Sequence, residues 1–406
     1  MFSQIANLPS ALKQYGIITG NYWAFTLTDG ALRMLVVLYF HQLGYGALAI
    51  AMLFVFYELF GVITNLIGGW LGAHLGLNKT MNIGLGLQVV ALAMLCAPSD
   101  WLSVSYVMLA QALSGVAKDL NKMSAKSAIK YLVPEGDNQQ SQLYKWIAIL
   151  TGSKNALKGV GFFLGGLLLT LLGFVGALVA LIMLLTIAWI ISLVYLEGDI
   201  GKAKNKPKFK ALLSKSRAIN LLSAARFCLF AARDVWFVVA LPVYLASQFN
   251  WPHWWVSGFM ALWVIAYGVV QSQAPKITGK SLVSNDAIKK AFYWGGVLAC
   301  VTLLLACLMQ LNIAVNTTLI VGLFIFGAAF AINSSLHSYL IVSLAKSDGV
   351  SLDVGFYYMA NAAGRLVGTV LSGFMYKVYG LQACLWVSAS LLLLVCLITQ
   401  RLTKQS

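Results

Sequence analysis

The chain has 406 residues, of which 60% are hydrophobic and only 10% charged, and its mean hydropathy is +0.82. No water-soluble core could hide that much apolar surface, so the composition excludes an ordinary soluble enzyme or binding domain and points to lipid as the main solvent. The formal net charge of +16 would suit nucleic acid as well as a membrane surface, and the placement of the basic residues decides between them.

Met1 to Tyr15 lack a basic stretch followed by an apolar core and a small-residue cleavage site, so no cleavable signal peptide is expected and the first apolar segment stays as a helix. Stretches of the roughly 20 apolar residues that cross a bilayer then recur at 15–40, 47–73, 80–97, 101–128, 143–172, 175–196, 218–247, 253–274, 290–310, 316–343, 351–376 and 382–400. Each is expected to be helical, because lipid offers backbone N–H and C=O groups no partner. Lysines gather in alternate connections: Lys79 after the second span, Lys126 and Lys130 after the fourth, and Lys276, Lys280, Lys289 and Lys290 after the eighth. The opposite connections hold almost none, Lys377 excepted. The chain is expected to be a multi-pass protein of a bacterial inner membrane, and the positive-inside rule predicts that both termini are cytoplasmic.

The one strongly basic segment, Gly201 to Arg217, falls between the sixth and seventh spans. It reads as a cytoplasmic linker, residues 197–217, between an N-terminal half (1–196) and a C-terminal half (218–406) of six helices each. Its charge suits anionic lipid headgroups, and no nucleic-acid partner is expected. The six cysteines, Cys96, Cys228, Cys300, Cys307, Cys384 and Cys396, are scattered singly, with no CxxC or Cys/His cluster.

The two halves repeat each other. A shift of 207 lays Lys158, Gly161, Gly166 and Gly173 onto Arg365, Gly368, Gly373 and Gly380; a shift of 205 lays Phe25, Asp29 and Tyr39 onto Phe230, Asp234 and Tyr244; and a shift of 212 lays Gly115 and Asn121 onto Gly327 and Asn333. Parallel six-helix repeats of this kind resemble the major facilitator superfamily, in which substrate binds midway between the halves. The expected fold class is therefore all-α integral membrane, with twelve transmembrane helices in two pseudo-symmetric halves. The segment Gly69 to Lys79 falls where that superfamily carries its signature between the second and third helices, but Ala73 and His74 stand where an acidic and a basic residue are expected. Gly161, Gly165 and Gly166 resemble the glycine motif of antiporters with Phe162 in place of its proline, and close helix packing alone accounts for glycines at this spacing.

An ionisable residue inside a spanning helix costs roughly 2.5 to 3.5 kcal/mol to insert and is by default a functional candidate facing the bundle interior. The first span carries Asp29 and Arg33, one turn apart and able to neutralise each other. The fifth carries Lys154 and Lys158, the seventh Arg226, Arg233 and Asp234, the eleventh Arg365, and the fourth Lys118, Asp119 and Lys122. Pairing with Glu58, Asp119 or Asp234 is expected for some of these cations, and snorkelling for others. The remainder leaves positive charge in excess across both halves, which an anionic substrate balances. The planar fork of arginine suits bidentate capture of phosphate or carboxylate, and lysine adds a point charge. Arg33, Lys154, Lys158, Arg226, Arg233 and Arg365 are accordingly the candidate anion ligands. Asn21, Tyr22, Asn333, His337, Tyr357 and Asn361 are candidate polar lining or interhelical glue, and Asp29, Glu58 and Asp234 are candidates for proton coupling. There is no metal-ligand spacing, no Gly-rich phosphate loop and no paired nucleophile and base, so no catalytic residue, metal or cofactor is expected, and a membrane-embedded head-group transferase is disfavoured.

The segments GNYWAFTLTDGALRMLVVLYFHQLGYG (20–46), FYELFGVITNLIGGWLGAHLGLNKTMNIGL (56–85), AKDLNKMSAKSAIK (117–130) and LTGSKNALKGVGFFLGG (150–166) resemble the organoarsenical efflux permeases of the ArsJ family. That resemblance implies export of 1-arseno-3-phosphoglycerate, the unstable arsenate ester made when glyceraldehyde-3-phosphate dehydrogenase uses arsenate in place of phosphate, and hence arsenate resistance in functional partnership with that enzyme. Such an ester is the polyanion the surplus cations require, and pentavalent arsenic needs no thiol ligands. The alternatives within the fold are an organophosphate/phosphate exchanger and a proton-coupled multidrug efflux pump.

Overall fold

In the computed structural model, residues 10–44, 53–134, 136, 138–196, 200–203, 216–251, 253–279 and 284–403 are described, and the regular structure among them is helical, as a chain solvated by lipid requires. In chain order the helices are α1 (Ser10–Gln42), α2 (Val55–Leu75), α3 (Leu77–Leu95), α4 (Val104–Leu132), α5 (Gln139–Tyr195), α6 (Arg217–Phe237), α7 (Ala240–Gln248), α8 (His253–Thr278), α9 (Ser284–Gln310), α10 (Val315–Leu344) and α11 (Val350–Thr403). Helices α1, α5, α9, α10 and α11 and the α6–α7 stretch are each long and apolar enough to cross a membrane. Each of the twelve expected spans overlaps a helix among the described residues, the opening of the second (47–52) lying outside them, because α5 and α11 each consist of two arms. The arms meet at Gly173 (φ 68°, ψ −178°) and at Gly380 (φ 78°, ψ −175°), left-handed conformations that glycine adopts without steric cost. These two residues are 207 apart, the offset of the sequence repeat, so the repeat is one of backbone geometry as well as of residue type.

Two expectations change. The seventh span, expected as one helix over 218–247, is split between α6 and α7, because Pro242 lacks an N–H and its ring crowds the carbonyl four residues earlier. The N–H of Ala240 at this break donates to Ser372 Oγ on α11 at 3.0 Å. The lysines expected in connections (Lys79, Lys126, Lys130, Lys276, Lys289 and Lys290) lie within helices instead, while Lys280 lies outside the described residues. Lysine is a good helix former whose ammonium reaches polar groups at the end of an apolar stem: Lys130 donates to the Ala345 carbonyl and Lys290 to that of Thr278.

The chain forms two compact units. The first contains Met1–Gln139, Leu157–Ser214 and Ala345–Met359; the second contains Gln140–Ala156, Lys215–Leu344 and Ala360–Ser406. The opening turns of α5 thus belong with α8 to α10, and those of α11 with α1 to α4. Glycines permit both placements. In the first unit Ser351 Oγ donates to the Gly69 carbonyl at 2.7 Å, and a methyl group built on Gly355 would lie 2.5 Å from the Asn65 carbonyl oxygen. In the second unit a methyl on Gly152 would lie 2.6 Å from the Gly268 carbonyl oxygen, and the converse distance is also 2.6 Å.

The basic linker expected over 197–217 lies largely outside the described residues. Its described start forms two main-chain bonds with the α2–α3 turn: Leu77 N–H to the Ile200 carbonyl at 2.8 Å and Ala203 N–H to the Ala73 carbonyl at 2.9 Å. Ala73 is fully buried there against Ala203 and Leu352, which accounts for a small apolar residue where the signature would place an acid.

Each unit has its own core, formed in the first around Phe25, Leu35, Leu92 and Leu181 and in the second around Trp236, Trp263, Phe326 and Phe330. In the first unit α5 crosses α1 at Gly161 and Gly165, where a methyl on Gly161 would lie 2.6 Å from the Leu27 carbonyl oxygen. At Gly166, one residue on, the nearest atom to such a methyl is Leu38 Cδ1 at 3.8 Å. Gly161→Ala is therefore expected to destabilise the protein by about 1–3 kcal/mol through overpacking, and Gly166→Ala to leave it unchanged. Thermal unfolding of the two variants in detergent checks this, and equal melting temperatures would contradict it.

Candidate functional site

In each unit several buried charges gather in a cluster. In the first unit, Asp29 and Arg33 do not close on each other as their spacing on α1 allowed; both turn to α2. Asp29 Oδ1 accepts from the Tyr57 hydroxyl at 2.7 Å, and Arg33 Nη2 lies 3.4 Å from Glu58 Oε1. The Arg33 guanidinium sits 4.6 Å from the Tyr57 ring centroid and 5.2 Å from that of Phe54. The Lys118 ammonium of α4 sits 3.8 Å from the same Tyr57 ring. Tyr57 therefore serves two cations through its face and a carboxylate through its hydroxyl, a combination an aromatic ring with a polar tip allows. Asp119, 1% exposed, takes Lys122 at 2.5 Å and Lys118 at 3.8 Å, so the pairing expected on α4 is present. Two glycines bring α2 and α4 this close: a methyl on Gly115 would lie 2.6 Å from the Tyr57 carbonyl oxygen, and one on Gly61 would lie 2.8 Å from Asp119 Oδ2.

Around this cluster, the Tyr22 hydroxyl and Asn21 Nδ2 are buried and have no hydrogen-bond partner among the described residues. Lys158 extends its ammonium to within 5.8 Å of the Phe162 ring centroid. Tyr357, fully buried, lies edge-on to Tyr358 at 5.0 Å, and Tyr358 accepts from the Lys126 ammonium at 2.5 Å. Sequence reasoning missed Tyr57, because only the rotation of α2 shows which side chains its ring meets.

In the second unit, Asp234 on α6 is shared by two arginines: Arg233 Nε lies 2.6 Å from Oδ1 and Arg365 Nε of α11 lies 3.4 Å from Oδ2. Arg226, two turns before Asp234 and 3% exposed, donates from Nη1 to Ser334 on α10, at 3.0 Å to Oγ and 3.2 Å to the carbonyl. The Phe230 ring lies between Arg226 and Arg233, at 4.1 and 4.7 Å from their guanidinium carbons, and Phe330 backs Arg233 at 5.4 Å. His337, one turn after Ser334, is fully buried, and neither ring nitrogen has a hydrogen-bond partner among the described residues. Asn361 is 7% exposed and its Nδ2 is likewise without a partner among them.

Asn333 turns away to α9, where Nδ2 donates to the Ala291 carbonyl at 3.0 Å, the geometry of interhelical glue. Lys154 lies on the opening turns of α5 in this unit, beside Asn155, which donates to Gln271 on α8 at 2.7 Å. The structure thus groups Arg226, Arg233, Asp234 and Arg365 in one unit and Asp29, Arg33 and Glu58 in the other. Gln271 and Ser334 were not anticipated, since neither stands out among the many polar uncharged residues of the spans.

A sequence model of the Major Facilitator Superfamily matches residues 18–288 and 285–405. No curated protein sequence matches the chain. Among solved structures, a bacterial homologue of the iron transporter ferroportin in an outward-facing state is similar with a TM-score of 0.75 and 13% identity, covering 96% of this chain and 99% of that one. The human organic anion transporter MFSD10 (TETRAN) gives a TM-score of 0.74 at 16% identity, covering 97% and 100%. A point variant of the E. coli fucose:proton symporter FucP gives 0.74 at 11% identity, covering 97% and 99%. At these identities the likeness is one of fold.

The first cluster makes a direct prediction. Tyr57→Phe keeps the ring beneath Arg33 and Lys118 but leaves Asp29 without its hydroxyl donor, a loss expected to cost about 1–3 kcal/mol. Tyr57→Leu also removes the ring and is expected to cost more. Melting temperatures of the purified variants measure this, and a Phe variant as stable as the parent would contradict it.

Proposed function

The chain belongs to the major facilitator superfamily and is a multi-pass membrane transporter; from that premise we propose that it exports a small organic anion, specifically the arsenate ester 1-arseno-3-phosphoglycerate, from the cytoplasm across a bacterial inner membrane. One observation carries the anionic cargo. The second unit seats Arg226 and Arg233 against the Phe230 ring and Arg233 and Arg365 on Asp234, and the sequence segments that compose that unit contain only one other carboxylate side chain, that of Asp286, in the first turn of α9. Cationic side chains thus outnumber carboxylates in the unit's own segments, and a polyanion with phosphate at one end and arsenate at the other suits such a cluster. The resemblance of four long segments to organoarsenical efflux permeases supports the specific ester, with glyceraldehyde-3-phosphate dehydrogenase as its source.

Arg226, Arg233 and Arg365 are the proposed principal ligands. Within the second unit Lys154 is proposed to contribute further positive charge and His337 and Asn361 polar lining; within the first, Arg33, Lys158, Tyr22, Asn21 and Tyr357 are proposed as that unit's own candidates. Asn333, engaged with α9, is proposed as glue. Efflux of an anion is itself driven by an inside-negative potential, by about 2.3 kcal/mol per charge per 100 mV, so the reading assigns Asp29, Glu58 and Asp234 to charge balance rather than proton transfer.

Expression is expected to confer arsenate resistance only together with the dehydrogenase; resistance to arsenite alone, or resistance without the enzyme, would contradict the cargo. In everted vesicles supplied with the dehydrogenase, its substrates and arsenate, Arg365→Gln is expected to raise the half-saturating ester concentration roughly 10- to 100-fold, the worth of a charged hydrogen bond. Collapsing the proton gradient while holding the potential is expected to leave the rate unchanged. A loss of rate would return those three acids to proton coupling, and strict dependence on opposing phosphate would identify an organophosphate exchanger.

A further inference from the structure

Four polar side chains of the second unit form a continuous hydrogen-bonded chain from the opening turns of α5 to Arg226. Asn155 Nδ2 donates to Gln271 Oε1 at 2.7 Å. Gln271 Nε2 donates to Ser334 Oγ at 3.3 Å, and that oxygen also accepts from Arg226 Nη1 at 3.0 Å. Gln271 and Ser334 are fully buried. The chain exists because Gly152 and Gly268 let the α5 backbone settle on α8 with no side chain between them, as the 2.6 Å approach of a methyl built on either shows.

We propose that Gln271 is a positioning residue for anion binding: it fixes Arg226 through Ser334, and does so only while the opening turns of α5 are seated on α8. This rests on the reading of Arg226 as an anion ligand. Gln271 uses both ends of its amide, accepting from α5 and donating to α10. When α5 leaves α8, the buried Gln271 oxygen loses the Asn155 donor, and losing a buried hydrogen bond is costly. The amide then turns to other partners and Ser334 loses its restraint. Ser334 holds Arg226 Nη1 by two oxygens and so sets the plane of the guanidinium against the Phe230 ring; a planar fork bound in advance captures an oxyanion without paying to order itself. The affinity of the site is thereby tied to the seat of the α5 segment that bears Lys154. By reciprocity, anion bound at Arg226 holds α5 on α8.

The test measures arsenate accumulation in everted vesicles with the dehydrogenase system, as a function of the ester concentration that the amount of enzyme sets. Gln271→Leu removes both bonds at similar volume, and Asn155→Leu removes the first. Each is expected to raise the half-saturating concentration about tenfold with the maximal rate, per transporter in the membrane, within about twofold of the parent. The double variant is expected to be no worse than either single one, because both break one chain. Ser334→Ala, which keeps the carbonyl acceptor, is expected to show the same shift and serves if Gln271→Leu does not reach the membrane. Unchanged half-saturation in these variants, a fall confined to maximal rate, or additive losses would overturn the proposal. Arg226→Gln separates the two readings: normal export in that variant removes Arg226 as a ligand, whereas impaired export there beside normal half-saturation in Gln271→Leu refutes the positioning role alone.

Discussion

Asp234, buried and shared between Arg233 and Arg365, is the interaction on which the second unit depends. Removing one partner of a buried pair leaves an uncompensated charge and is far more costly than exchanging the whole pair for apolar groups. The geometry that delivers Arg365 is written in its neighbours. Gly364 packs on the Phe227 carbonyl, and a methyl on Gly368 would lie 2.8 Å from the Ala231 carbonyl oxygen and 2.9 Å from Asp234 Cβ. An arginine between two such glycines rides on the part of α11 that lies closest to α6. In the first unit the equivalent crossing, Gly30 against Gly161, lies beside Asp29 and Lys158, but there Asp29 is served by the hydroxyl of Tyr57.

The two clusters have diverged in charge although their helices repeat. Around Tyr57, Asp29, Glu58 and Asp119 stand with Arg33, Lys118 and Lys122, and Lys126 and Lys158 lie around them. Around Phe230, Arg226, Arg233 and Arg365 gather with Asp234, which takes Arg233 and Arg365. Buried charges inside a membrane bundle are functional candidates, and the proposed anion site is accordingly assigned to the second unit, where the chain from Asn155 to Arg226 would give α5 a hold on it.

Much of the fold was legible in the sequence because a lipid-solvated helix must be apolar over a fixed length, and because the 207-residue offset survives at Gly173 and Gly380, where only glycine fits the backbone. Pairing along one helix, as for Lys118, Asp119 and Lys122, was legible too. What crosses between helices was not. The approach of Asp29 and Arg33 to α2 instead of to each other depends on the rotation of two helices, as do the aromatic face of Tyr57 and the amide of Gln271. Asn333 looked like a site residue at its repeat position beside His337, yet the nearby Gly295 lets α9 come close enough to claim its amide: a methyl there would lie 3.3 Å from Asn333 Nδ2. The break at Pro242 was readable, and hydropathy alone obscured it.

The central claim is that the arginine cluster of the second unit binds a small polyanion. Thermal unfolding of the purified transporter with added 3-phosphoglycerate, a stable ester bearing a phosphate and a carboxylate, tests it most directly. The account predicts a concentration-dependent rise in melting temperature that weakens with salt and is lost in Arg233→Gln and Arg365→Gln variants that still fold. Stabilisation by a lipophilic cation, with none from the phosphoester, would contradict it.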